Sequence, residues 1–330
     1  FEIFTAGSPD FDGSAAARLT GGIFEGNPMT FRHPCAVPTR YSRRALAAIF
    51  IAAFPVPALA DTLNYIGLDN SQYSSSSNWS PNETPASGDI LNLGTTSIPG
   101  FTSGDLHVTY NLVVTGVSAM TFDSTALPGA FIINVTGGTL GATTETFSGS
   151  AANNSFTLGS GAANTVATLN LAGTSTSNDL YTVTGNGSTL TVTDTLNLGL
   201  AGNGTLTQSA GTTVNIHNST SSAFLEIGVN SSGNGTYNLT GGSLTVDLLR
   251  VGQTGTAVFN QTSGSLTVKD NAIISNGANS APATFNYSGG TDTFTGGFSV
   301  GIKGFVNLKT GGVLPFNVAV NSNRTCNFAG

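Results

Sequence analysis

Charged side chains are scarce in this chain: ten Lys and Arg and seventeen Asp and Glu supply 8% of its 330 residues, about a third of the usual share. A chain this poor in charge is not held open by self-repulsion, which excludes charge-driven disorder. From residue 61 onward the basic residues are Arg250, Lys269, Lys303, Lys309 and Arg324, against thirteen acidic ones, a net charge of −8. With that sign and no basic cluster, nucleic acid and anionic lipid surfaces are excluded as partners.

Cysteine and histidine are nearly absent too. Cys35 and Cys326 fall on opposite sides of the cleavage site inferred below, so the mature chain keeps one thiol and no internal disulfide. His107 and His217 lie far apart among strand-like residues and read as solvent-facing. No His-Glu-x-x-His spacing exists, and no Gly-x-Ser-x-Gly elbow stands between a strand and a helix. No catalytic or cofactor-binding residue is expected.

What the chain does have is 43 glycines, 39% hydrophobic residues and a polar complement of Ser, Thr and Asn. Those residues suit turns and pleated, half-buried strands. The expectation is an all-β protein.

The N-terminal stretch reads as export machinery. Met29 opens a basic segment with Arg32, Arg40, Arg43 and Arg44, the apolar run Ala45 to Phe54 follows, and Ala58-Leu59-Ala60 makes a small-residue cleavage site before Asp61. The apolar run is too short to span a bilayer as a permanent helix. Ser42-Arg43-Arg44 partly matches a twin-arginine signal, but Leu46 with Ala47 is a poor match to its apolar pair, so the general secretory route is expected. Residues 1–28 read as a non-native upstream extension and 29–60 as the signal peptide.

Internal repetition decides the rest. Thr236-Tyr237-Asn238-Leu239-Thr240-Gly241-Gly242-Ser243-Leu244-Thr245-Val246 returns 22 residues later as Val258-Phe259-Asn260-Gln261-Thr262-Ser263-Gly264-Ser265-Leu266-Thr267-Val268. Weaker copies run Thr284-Phe285-Asn286-Tyr287-Ser288-Gly289-Gly290, Phe305-Val306-Asn307-Leu308 with Thr310-Gly311-Gly312, and Ile133 to Leu140. A second marker, apolar-x-apolar-Gly, closes on Gly199, Gly228, Gly252 and Gly301 at intervals of 29, 24 and 49, with Asn276-Gly277 as the degenerate copy in the long gap. The period is near 24.

Each period holds three short alternating runs, such as Tyr237 with Leu239, Leu244 with Val246, and Leu249 with Val251. Period-two alternation means strands with one buried face, and identical segments one period apart stack like on like. The fold expected is a right-handed, single-stranded parallel β-helix with three-strand coils of about 24 residues. Its cap and first strand cover 61–89, its repeats 90–320, and a truncated end 321–330. At a rise of about 4.8 Å per coil, about eleven coils make a rod about 50 Å long.

Stacking places Tyr237, Phe259 and Phe285 in one column and Asn238, Asn260, Asn286 and Asn307 in another. The aromatic column gains buried area and ring contacts, and the Asn column can pass amide bonds along the axis, facing either inward or outward. Gly241, Gly242 and Gly264 supply positive φ or close approach at a corner. The Asn-x-Ser/Thr triplets at Asn134, Asn238, Asn260 and Asn286 follow from the repeat itself and do not mark glycosylation.

The phrase Gly235-Thr236-Tyr237-Asn238-Leu239-Thr240-Gly241-Gly242-Ser243-Leu244 resembles the repeats of bacterial autotransporter passenger domains and of exported sorting-tagged (PEP-CTERM-like) proteins. Asn78-Trp79-Ser80-Pro81, with Pro85 and Gly88-Asp89, resembles the first-strand motif that opens such passengers. The resemblance covers about residues 74–312. It implies export to the cell surface or medium and a structural or adhesive role. No membrane barrel or sorting tail follows the repeats before Gly330, so any outer-membrane anchor is expected beyond it.

Carboxylates are the remaining chemistry: Asp179, Asp194, Glu226, Asp247, Asp270 and Asp292. Asp194, Asp247 and Asp270 each follow a strand ending in Val by one or two residues, so they are expected at one corner, as calcium candidates or, preferably, as a solvated edge where substitution is silent. The insertions Gly149–Asn154 and Ser175–Asp179 are expected to project as loops and to hold any ligand. The function expected is non-catalytic, an exported adhesive or structural passenger whose partner is a host or environmental surface, a polysaccharide or itself. A carbohydrate-active β-helix and a passive matrix spacer are the alternatives.

Overall fold

The structure, a computed structural model, describes residues 61–67, 76–86, 89–93, 103, 106–110, 113–150, 153–276, 281–308, 319–320 and 325–328. Residues 1–60, read above as an upstream extension and a signal peptide, and Thr310-Gly311-Gly312 lie outside the described residues.

One coil shows how the sequence makes the fold. Asn234–Leu239, Ser243–Val246 and Leu248–Val251 are three short strands in which every second side chain is buried. Tyr237, Leu239, Leu244, Val246, Leu249 and Val251 point to the core, and the residues between them, mostly Thr, Asn and Ser, point outward. The next coil, Thr256–Gln261, Ser265–Val268 and Ala272–Ile274, pairs with it in parallel on all three sides. Repeated along the chain, this builds a parallel β-helix of about nine turns.

One side is a ten-stranded sheet running from Leu106–Tyr110 to Thr325–Phe328, here called the ladder face. A sixteen-stranded sheet wraps the other two sides. Its long path, from Thr62–Tyr65 to Ala319–Val320, forms the second face. Its branch, Thr213–Ile216, Ser243–Val246, Ser265–Val268 and Thr291–Phe294, forms the third. In earlier coils the second and third faces share continuous strands such as Thr189–Leu198, which turns the corner through a register shift between Val192 and Thr195. On the third face the outward pairs Thr189 and Thr191, Thr213 and Asn215, Ser243 and Thr245, Ser265 and Thr267, and Thr291 and Thr293 stack rung upon rung.

The columns form as the repeat predicts. Tyr237 stacks on Phe259 at 5.2 Å between ring centroids and Phe259 on Phe285 at 5.1 Å, with planes within 10° and 5° of parallel. All three rings are fully buried. Asn260 donates to Asn238, Asn286 to Asn260 and Asn307 to Asn286 at 2.8, 2.8 and 2.7 Å. These amides alternate with buried neighbours, which places the Asn column on the outer surface.

Two corners depend on left-handed backbone. Gly242 has φ of 75° and Gly264 of 80°, while a Cβ on Gly241 would lie 2.7 Å from the Ala210 nitrogen, so the pair combines positive φ with close approach. The apolar-x-apolar-Gly marker ends on the other corner, with φ of 65° at Gly199 and 67° at Gly228. Its degenerate copy is Ala272-Ile273-Ile274-Ser275, not Asn276-Gly277: Ile273 and Ile274 are in register with Arg250 and Val251, and Ser275 takes φ of 68°. A non-glycine residue adopts that conformation at a cost of about 1 kcal/mol, which the stack tolerates, so a search for glycine misses the copy.

The turns number about nine, against the eleven expected, and the coils are uneven: Asn286 to Asn307 spans 21 residues, but Thr207 to Asn238 spans 31. In the segment read as cap and first strand, Thr62–Tyr65 pairs in parallel with Ile90–Leu93. Trp79–Ser80 is added antiparallel to that first strand. Trp79 is buried edge-on against Tyr65 at 5.3 Å.

Phe259→Ala is expected to lower unfolding free energy by about 3–5 kcal/mol and Phe259→Asp to prevent folding by burying an unpaired charge. Asn260→Ala removes two outward ladder bonds and is expected to cost about 1–2 kcal/mol. Urea titration followed by far-UV circular dichroism measures all three, and an Asn260 effect as large as that of Phe259 would contradict the outward placement.

Candidate functional site

Three places carry polar chemistry beyond the repeat. The first is a corner where the chain inserts residues 217–223, splitting what is one strand in the coil before into Thr213–Ile216 and Phe224–Ile227. The following coil passes this corner with Asp247 alone between its two strands. Asp247 lies under the loop. Its Oδ2 accepts the backbone N–H groups of Asn218 and Ala223, both at 3.0 Å, and its Oδ1 lies 2.7 Å from His217 Nδ1. Lys269 Nζ stands 4.0 Å from Oδ1. The Ser222 hydroxyl donates to Asp270 Oδ2 at 2.7 Å, and the Asn218 amide reaches back to the Thr193 carbonyl. The loop is therefore tied to the coil before it and to the two after it.

Burial alone would raise the Asp247 pKa, but the Ala223 and Asn218 N–H groups and His217 outweigh it and hold the carboxyl below its ordinary value. Asp247 is 3% exposed, so it is not the solvated, silent corner residue expected from its sequence position. Nor do the calcium candidates form one column. Asp247 stacks between His217 and Lys269, as the bonds from Asp247 N to the Ile216 carbonyl and from Lys269 N to the Val246 carbonyl show. Asp194 is exposed on an earlier coil and meets Thr168, and Asp270 is exposed and bonded to Ser222. Among the described residues no group of three or more His, Cys, Asp or Glu is placed to hold a metal. Glu226 is outward and paired with Arg250 at 2.6 Å, and Arg250 lies over the Phe224 ring at 4.6 Å.

The second place is the interior. Glu145 is fully buried between Met120 and Leu169 in an apolar column. Asn164, buried in the neighbouring Leu140 to Leu190 column, donates to Glu145 Oε2 at 2.9 Å and lies 3.0 Å from the Tyr181 hydroxyl. A second pair repeats the design, with Gln261 donating to Asp292 at 2.6 Å. In each pair the remaining carboxyl oxygen and the amide oxygen are buried and unpartnered. Protonation is the state that relieves this, because it removes the buried charge and adds a donor. Desolvation accordingly pushes Glu145 up to about 7 and Asp292 up to about 6, each against the opposing hydrogen bond from its amide partner. Glu145 and Asn164 were not among the candidate residues. Their signal was the alternation itself, since Glu145 stands two residues before inward Phe147.

The third place lies at the insertions expected to project as loops, where instead Asn154, Ser177 and Asp179 are buried and strands begin at Asn154 and Asn178. Thr174, Thr176 and Ser177 hydroxyls all donate to the Gly149 carbonyl, and the Asn178 amide donates to Asn153 at 3.2 Å. Beside them opens a depression of about 210 Å³ lined by Asn153, Asn178, Asp179, Leu180 and Thr205. Asp179, raised to about 6 by burial, is engaged within the chain through Asn154 and the Ala172 N–H. Leu180 is 40% exposed there. Compared with protein-family models, curated proteins and solved structures, the chain matches none.

Two outcomes follow. The buried carboxyls have folded pKa values above their unfolded ones, so the stability they confer is full below about pH 4 and is lost as pH rises through 6 to 7. Glu145 alone accounts for about 3 kcal/mol, so melting temperature is expected to fall from pH 5 to pH 8, and Glu145→Gln to flatten that fall. Asp247 acts in the opposite sense, its contribution fading as pH drops below 4. Asp247→Ala is expected to cost about 2–4 kcal/mol and to speed hydrogen exchange in 217–223. Unchanged exchange in that loop would remove Asp247 from its anchoring role.

Proposed function

We propose that this protein is an exported rod that works as an adhesive or structural element at a bacterial surface. The observation that carries the reading is the division of labour between the two sides of each strand. The interior is apolar apart from a few buried polar side chains such as Glu145 and Asn164, and the outward side chains form long registered rows of Thr, Ser and Asn. Such rows offer repeated, uncharged hydrogen-bonding groups over an extended area, the form of a surface that engages another extended surface. The scaffold's loops enter at corners, where they leave the faces uninterrupted. Export rests on the basic, apolar and small-residue order of 29–60.

A second reading, polysaccharide cleavage, is favoured by the depression beside Asp179. A carboxyl raised to about 6, which also feels the charge of Asp123, is a fitting proton donor for glycoside chemistry. Against it, both Asp179 oxygens already serve the chain's own donors.

The readings separate experimentally. Cells displaying the full chain are expected to attach to surfaces or to aggregate more than cells without it, and purified protein to compete for the same binding. No change in either property removes the adhesive reading. Release of reducing ends from a polysaccharide panel, abolished by Asp179→Asn, would instead support cleavage.

A further inference from the structure

The third face differs from the other two in what its outward groups do. On the ladder face the Asn amides bond one another along the axis. On the third face nine of the ten outward positions from Thr189 to Thr293 carry a hydroxyl, the tenth being Asn215, and none is charged or aromatic. The hydroxyls of Ser243, Thr245, Ser265 and Thr267 have no partner elsewhere in the described chain. Each therefore keeps a donor and acceptor directed outward.

Their spacing is fixed in two directions. Successive rungs lie about 4.8 Å apart, and the two outward residues of one rung about 6.7 Å apart. A β-branched Thr in a strand has few χ1 choices, and the backbone beneath it is locked in a parallel sheet. The grid is therefore ordered before any partner arrives, which keeps the entropic cost of binding small.

The chemistry of this grid selects its occupant. An acidic or basic polymer finds no counter-charge on it. A sugar chain finds no outward ring to stack on. What matches is a neutral partner whose own hydrogen-bonding groups repeat in two dimensions at similar distances. We propose that this face binds ice, its paired hydroxyl columns meeting the oxygen lattice of a growing crystal plane. Hexagonal ice repeats its oxygens at distances close to both spacings of the grid. Thr methyl groups between the hydroxyls help order the first water layer, while the absence of charge avoids strongly hydrated sites that would break the lattice. The inference is independent of the adhesive reading, since it needs only the face.

The test uses the purified full chain in a freezing-point osmometer and in an ice recrystallisation assay. The unaltered protein is expected to open a gap between melting and freezing temperatures and to arrest crystal coarsening. Thr245→Lys with Thr267→Lys is expected to abolish both effects at unchanged melting temperature. Thr236→Lys with Thr284→Lys, outward on the ladder face, is expected to retain them. Should the first pair lower protein stability, Ser243→Tyr with Ser265→Tyr takes its place under the same criterion. Absence of both effects in the unaltered chain would overturn the proposal, and so would equal loss in the ladder-face variant. Capture by insoluble neutral polysaccharide, or self-association blocked by the Thr245 and Thr267 changes, without any effect on ice, would overturn it in favour of those occupants.

Discussion

Everything in this protein depends on the parallel backbone ladder between coils. Because each coil hydrogen-bonds to the next at one fixed rise, a residue's neighbours along the axis are the residues at the same position one coil away. Inside, this multiplies a favourable choice: a buried ring finds a ring above and below, as Phe259 does between Tyr237 and Phe285. Outside, a single amide gains little, but four in a column bond in series. The same rule confines variation to corners, where the 217–223 loop can be added without shifting Leu225 out of register with Leu196 or Leu249.

The ladder also explains how polar groups survive in the core. Glu145 and Asp292 occupy columns that are apolar in neighbouring coils, so each is surrounded by side chains that offer it nothing, and one carboxamide partner meets half its needs. Neutrality is the economical state for such a group. Asp247, equally hidden from solvent, sits at a corner where the backbone leaves the ladder and its N–H groups are free to point at a carboxylate. Carboxyls held below and pushed above their ordinary pKa thus coexist because corners expose backbone donors and strand interiors do not.

Stacked faces with different chemistry follow from a coil with three sides. The ladder face spends its amides on itself, the second face mixes an Arg–Glu pair with aromatic cover, and the third leaves the hydroxyls of Ser243, Thr245, Ser265 and Thr267 without partners among the described residues. A partner that repeats along one axis can recognise any of them, and the third offers paired hydroxyls on four of its five rungs.

The sequence by itself determined the all-β class, the parallel stacking, the period near 24 and the columns through Tyr237 and Asn238, because period-two alternation and long-range repetition are local facts that stacking copies faithfully. It also pointed to the Gly149 and Ser175 insertions, near which the depression opens. Only the tertiary structure decided that the Asn column faces outward, that Asp247 is a buried anchor for His217 and its loop, and that Glu145 and Asn164 meet inside the core. Those outcomes depend on which strand follows which corner and how many residues the corner takes, and a shift of one residue exchanges inside for outside. Asp247 and Asp270 look alike in sequence, one and two residues past a Leu-Thr-Val strand, and that single residue of offset buries one and exposes the other.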